Sequence, residues 1–125
     1  MMKRIVKTLH NLAEFDSAGK IEEPRRSVYI LEVLPHDDSC QYELYVGSTW
    51  HPVQYRYEEH KSGGSKAAHI FRRRASVGAI RWDLMEGFPK FHTTEAVERA
   101  ERRVALWLAS QGYSIKCNML TPRES

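Results

Sequence analysis

Apolar positions recur along the chain in two ways, as short β-branched and aromatic runs and at helical spacings of three and four. The places where one gives way to the other mark the elements. The run Val28-Tyr29-Ile30-Leu31-Glu32-Val33-Leu34, stopped by Pro35, predicts a buried strand over residues 27–34. His36-Asp37-Asp38-Ser39 is turn chemistry, and residues 42–47 predict a second strand that pairs with the first as an antiparallel hairpin. Pro52 suits a first helical turn, where its missing N–H costs nothing. Val53, Arg56, Tyr57 and His60 then follow at helical spacing until Gly63-Gly64 stops them. Ser65 is placed to cap a short helix over residues 66–74, and the alternation through residues 79–85 predicts a third strand, closed by Gly87 and Pro89. Thr93 or Thr94 can cap the longest helix, residues 95–110, whose buried stripe is Val97, Ala100, Val104, Ala105 and Leu108 and whose end is Gly112.

The two ends read more weakly. Ile5, Leu9, Leu12 and Phe15 have helical spacing before Ser17-Ala18-Gly19, so residues 1–23 are expected to be an N-terminal appendage. Residues 113–120 read as a docking tail or a short extra strand, and residues 121–125 as a C-terminal tail. The order β, β, α, α, β, α over residues 24–120 predicts an α+β fold, an α/β sandwich in which a small three-stranded antiparallel sheet is flanked by helices.

Length and composition narrow this further. A chain of 125 residues with 42% apolar and 28% charged residues is expected to form one globular domain. The longest wholly apolar run, residues 104–109, is far short of the roughly 20 that cross a bilayer. The start, Met-Met-Lys-Arg-Ile-Val-Lys, lacks the apolar core of a secretory signal. The two cysteines, Cys40 and Cys117, are far apart, so no disulfide framework is indicated and a reducing cytoplasm is the expected compartment. The histidines show no zinc-ligand spacing.

Charge is distributed unevenly. Residues 1–60 hold ten acids against seven Lys and Arg, whereas residues 61–81 hold six cations and no acid. Lys61, Lys66, Arg72, Arg73 and Arg74 therefore present themselves as contacts for a phosphate backbone, the alternative being an ordinary solvated helix face. Trp82 and Trp107 read as core residues. Trp50 falls in a loop where it is either a surface aromatic or a platform for a base.

Val28-Tyr29-Ile30, Tyr45-Val46-Gly47, Arg56 with His60 one turn later, a glutamate on the last helix and Asn118 occur in that order. This pattern resembles the GIY-YIG nuclease family over roughly residues 27–118, with Ser27-Val28-Tyr29 in place of Gly-Ile-Tyr and a longer segment between the two tyrosines. The resemblance implies metal-dependent hydrolysis of DNA phosphodiester bonds by a stand-alone endonuclease domain. Such chemistry needs a deprotonated water, a cation beside the equatorial oxygens and a metal at the leaving 3′ oxygen.

A tyrosine whose pKa is near 10 serves as a base only beside positive charge, which Arg56 supplies by the family pattern. Tyr29 is accordingly the expected general base, Tyr45 a second hydroxyl that positions water or phosphate, and Arg56 a bridge to the non-bridging oxygens. His60 shares the helix face of Arg56 and is expected to position water or assist proton transfer. The alternative for both tyrosines is a core aromatic with its hydroxyl on backbone, and for His60 a helix-end residue. Among Glu95, Glu98 and Glu101, the last lies three and four residues from Val104, Ala105 and Val97, on the inward face. A buried carboxylate needs a cation, so Glu101 is expected either to ligate Mg²⁺ or Mn²⁺ or to pair with Arg56, with Glu98 in reserve. By the resemblance Asn118 is expected to hold loop backbone or a DNA phosphate near the site.

The expected partner is DNA, branched, damaged or non-specific, with an accessory recognition protein supplying target choice where the domain has no selectivity of its own. Two other classes stay open: a nucleic-acid-binding module of the same fold that does not cleave, and a structural or interaction protein.

Overall fold

The computed structural model describes residues 3–119. Its centre is β1 (Ser27–Pro35), in which Val28, Tyr29, Ile30 and Leu31 are all buried, the signature of a strand covered on both faces. The hairpin partner β2 (Leu44–Thr49) pairs antiparallel with it, Tyr29 opposite Gly47 and Leu31 opposite Tyr45. On the other side β3 (Ala75–Ile80) is also antiparallel, with a register shift between Leu31 and Val33.

Four helices were legible in the sequence and five are present among the described residues: α1 (Arg4–Ser17), α2 (Val53–Ser62), α3 (His69–Arg73), α4 (Trp82–Met85) and α5 (Thr94–Ser110). Gly63 ends α2 in the left-handed conformation at φ 67°, which a glycine adopts without strain. Thr93 caps α5, its hydroxyl accepting from the Ala96 N–H at 3.1 Å.

The fold is therefore mixed α+β, as expected, but the sheet has four strands in the order β3-β1-β2-β4 rather than three. The added strand is β4 (Ile115–Cys117), which pairs parallel with β2 and makes the sheet mixed. Three residues are too few to show alternation, which is why this segment read equally as a tail.

The third strand also lies earlier than residues 79–85. It occupies Ala75–Ile80, and the chain then turns at Arg81 into α4. Two N–H groups of Arg81 grip the Asp83 carboxylate at 3.0 and 2.9 Å, closing that turn, and Met85 swings inward so that its sulfur accepts from the Ile30 N–H. Trp82, expected in the core, is consequently 55% exposed. Ser76 and Gly78 are poor strand formers, and Gly78 is needed where it stands because a Cβ there would strike the Glu32 side chain.

The helix expected over residues 66–74 shrinks to His69–Arg73, because two of its first backbone groups are engaged elsewhere: the Lys66 carbonyl by Arg56 and the Ala68 N–H by His60. The segment expected as an appendage carries α1, which packs on α5 with Ile5, Val6 and Leu9 in the core. Its last turn is tied to the α5 cap, where Asp16 accepts from the Thr93 hydroxyl at 2.7 Å. Residues 120–125 lie outside the described residues.

Candidate active site

β1, β2, α2 and α5 bring Tyr29, Tyr45, Arg56, His60 and Glu101 into one electrostatic neighbourhood. The hairpin register sets the first step. Because Tyr29 faces Gly47 across the ladder, its ring leans over a residue with no side chain, and a Cβ at position 47 would run into the phenol oxygen, its ring carbon and the Tyr45 ring. The two tyrosine ring centroids are 6.2 Å apart and tilted by 36°.

Helix α2 supplies the next two groups from one face, four residues apart. His60 Nε2 lies 2.8 Å from the Tyr29 oxygen, and both residues are 1% exposed. The other ring nitrogen, Nδ1, accepts the Ala68 N–H at 3.0 Å, so it carries no proton. That assigns the proton to Nε2, which donates to Tyr29. Burial, with the Arg56 cation second, lowers the His60 pKa to about 4, so the ring is a neutral hydrogen-bond donor at physiological pH. Phe71 on α3 seals this group, its ring 5.3 Å from that of Tyr45 and 5.1 Å from that of His60.

Arg56 is the half-exposed member. It donates to Glu59 at 3.1 Å and to the Lys66 carbonyl, and its charge acts on the Tyr29 phenol. Burial nevertheless raises Tyr29 well above an ordinary phenol, outweighing the Arg56 charge, and the neighbouring Tyr45 adds to the rise. Tyr45 is pushed up to about 12, by burial first and by the Glu101 carboxylate second. Both phenols are protonated at neutral pH.

Glu101 is buried, at 6% exposure, as the helical spacing of α5 implied. Its carboxylate accepts from the Cys117 thiol at 3.8 Å, Ser48 is near enough to hold its pKa down, and it reaches the phenols by charge. It has no arginine: among the described residues the ion pairs are Arg56–Glu59 and Arg81–Asp83, so the expected Glu101–Arg56 pair is absent. Burial lifts its pKa to about 7, with the nearby Glu98 charge acting in the same direction. Glu98 itself is only half-buried.

The basic run abuts this group. Lys61, Lys66, Arg72, Arg73 and Arg74 are all exposed, on the end of α2 and on the outer side of the segment whose inner side is Phe71. Asn118 is exposed in the turn after Cys117, next to the residue that touches Glu101. Gly47, Ser48 and Phe71 complete the site without having been singled out for it. Only Gly47 carried a signal, as the third member of the Tyr-Val-Gly triplet.

Among the described residues no three His, Cys, Asp or Glu side chains are grouped as metal ligands, and no helix is long and apolar enough to cross a membrane. Comparison with models of known protein families, with curated proteins and with solved structures finds no match for this chain.

Proposed function

We propose that this chain is a GIY-YIG-type endonuclease domain that hydrolyses DNA phosphodiester bonds with the help of one divalent cation, Mg²⁺ or Mn²⁺. The observation that carries the reading is Glu101, a buried carboxylate that belongs to neither ion pair found among the described residues and lies within electrostatic reach of two phenols. A buried acid left without a countercharge raises its own pKa, and Glu101 has done so. A single carboxylate suits a hard cation that keeps most of its waters, rather than an all-protein cage.

When bound at Glu101, the cation would supply Lewis-acid stabilisation of the leaving 3′ oxygen. The chain's own residues have separate roles. Arg56 holds a non-bridging phosphate oxygen with the part of its guanidinium that is exposed. Tyr45 orients the attacking water, and Tyr29 takes its proton as the phenolate. That phenolate is rare at neutral pH and correspondingly basic. The His60 N–H already points at its oxygen, and the Arg56 charge stabilises it as it forms. His60 thus serves as a fixed neutral donor rather than as a proton carrier, because its second nitrogen is committed to Ala68. The basic face of residues 61–74 holds the flanking phosphates.

A second reading, a nucleic-acid-binding domain of the same fold that does not cleave, is favoured by the small exposure of Tyr29, Tyr45 and Glu101. The two separate on a supercoiled plasmid incubated with Mg²⁺. Under the nuclease reading the wild type nicks it while Tyr29→Phe and Arg56→Ala lose about 10²-fold or more of the rate. Under the binding reading all three shift the plasmid on a gel and none cuts it.

A further inference from the structure

A groove of about 940 Å³ opens at the end of the hairpin where β1 starts and β2 stops. It runs between residues 20–26, 50–52 and 90–92. Its walls carry four cations, Lys20, Arg25, Arg26 and Lys90, against two acids, Glu22 and Glu23. Arg26 is committed to the His92 carbonyl at 2.6 Å, while Lys20, Arg25 and Lys90 are exposed. None of the four belongs to the ion pairs found among the described residues.

Trp50 and His51 line one wall, and their rings and that of Tyr55, outside the groove, follow each other at centroid separations of 4.2 and 4.5 Å, tilted by 33° and 38°. This row is held in place rather than loose. The His51 N–H is bonded to the Thr49 hydroxyl at 3.0 Å, and Pro52 starts α2. Trp50 is 57% exposed. An exposed indole backed by two more rings, beside exposed cations that outnumber the groove's acids, matches what an unpaired strand offers: flat bases at intervals along a phosphate chain. A duplex keeps its base faces stacked inside and cannot use such a platform.

We propose that this groove holds a single-stranded polynucleotide segment, its bases stacking on Trp50 and its phosphates meeting Lys20, Arg25 and Lys90. Trp50 is three residues beyond Gly47, just past the end of β2, and so at most about 11 Å along the chain from the point where the phenols cross β2. A strand lying in the groove therefore leads to the Tyr29–Glu101 site. The substrate class becomes DNA with an unpaired arm. The path to cleavage rests on the nuclease reading, but the binding does not.

The test is binding without metal, by fluorescence anisotropy, of a labelled oligothymidylate and of a labelled blunt duplex. The proteins are the full-length wild type, Trp50→Ala and the double variant Lys20→Glu/Arg25→Glu, each first shown to melt cooperatively. Trp50→Ala is expected to weaken the oligothymidylate at least about fivefold while the duplex changes less than about twofold. The double variant is expected to weaken the oligothymidylate and flatten its salt dependence. Unchanged oligothymidylate affinity in both groove variants overturns the proposal, as does an equal loss for both ligands in Trp50→Ala. If the groove variants behave as expected but the wild type cuts nothing with Mg²⁺, the nuclease reading fails and the groove stands.

Discussion

The Tyr29 phenol occupies the space that a side chain at position 47 would need, so the glycine of β2 and the tyrosine of β1 form a single packing unit across the ladder. Gly47→Ala is therefore expected to cost about 1–3 kcal/mol of stability through overpacking against backbone-anchored rings. In a Tyr29→Phe background, where the phenol oxygen is gone, the same substitution is expected to cost less. Urea unfolding of the four proteins of this cycle measures the coupling, and additive costs would show that the two residues are independent.

Tyr29→Phe alone removes the acceptor of a buried N–H. The buried His60 Nε2 then loses its acceptor to a ring edge, and a loss of about 1–3 kcal/mol is expected. An unchanged urea midpoint would mean that the 2.8 Å bond contributes nothing.

Two buried groups give stability opposite dependences on pH. Glu101 rises from 4.5 to about 7 on folding, so between those values the folded state binds more protons and stability falls as pH rises. His60 falls from 6.5 to about 4, so between those values the unfolded state binds more protons and stability rises with pH. Each swing is roughly 3 kcal/mol, and over about pH 4.5–6.5 they oppose one another. Glu101→Gln is expected to expose the His60 term, with stability climbing from pH 4 to 6.5 and then holding, and to exceed the wild type above pH 7. Denaturant titrations across that range give the curves; a variant that parallels the wild type would place the Glu101 titration elsewhere.

Much of this fold was legible in the pattern of apolar residues. The hairpin strands, α2 and α5 are long or strongly patterned and have clear stops at Pro35, Gly63 and the Thr93 cap. What was misread depends on contacts between distant residues. β3 and α4 are divided by the Arg81–Asp83 grip and by the inward Met85, not by any local signal, and the short α3 reflects backbone groups claimed by Arg56 and His60. The site follows the same rule. Helical spacing put Glu101 inward, but its freedom from Arg56, its bond with the Cys117 thiol and the proton assignment on His60 come from three dimensions.

Cation binding should be visible as stability. A ligand that requires the Glu101 carboxylate relieves a buried charge, so millimolar Mg²⁺ at pH 8 is expected to raise the wild-type melting temperature by several degrees, and to leave Glu101→Gln unmoved. Equal shifts in both proteins would locate the cation away from Glu101.

The rate of cleavage should follow the rare phenolate. With saturating Mg²⁺, the logarithm of the single-turnover rate is expected to rise with pH with a slope near 1 and no plateau below about pH 9, because burial holds Tyr29 above an ordinary phenol. At low Mg²⁺ the slope below pH 7 steepens toward 2 as Glu101 must also lose its proton. A plateau near neutrality at saturating metal would assign the base to another group.

The most direct measurement is single-turnover cleavage of end-labelled DNA, duplex and armed with an unpaired strand, by wild type and Glu101→Gln in Mg²⁺ and in EDTA. The expected result is wild-type cutting that needs the metal, leaves 3′-hydroxyl and 5′-phosphate ends, and vanishes in Glu101→Gln although that variant still binds the DNA. Cutting by Glu101→Gln at the wild-type rate, or no cutting of either substrate by a folded, DNA-bound wild type, would contradict it.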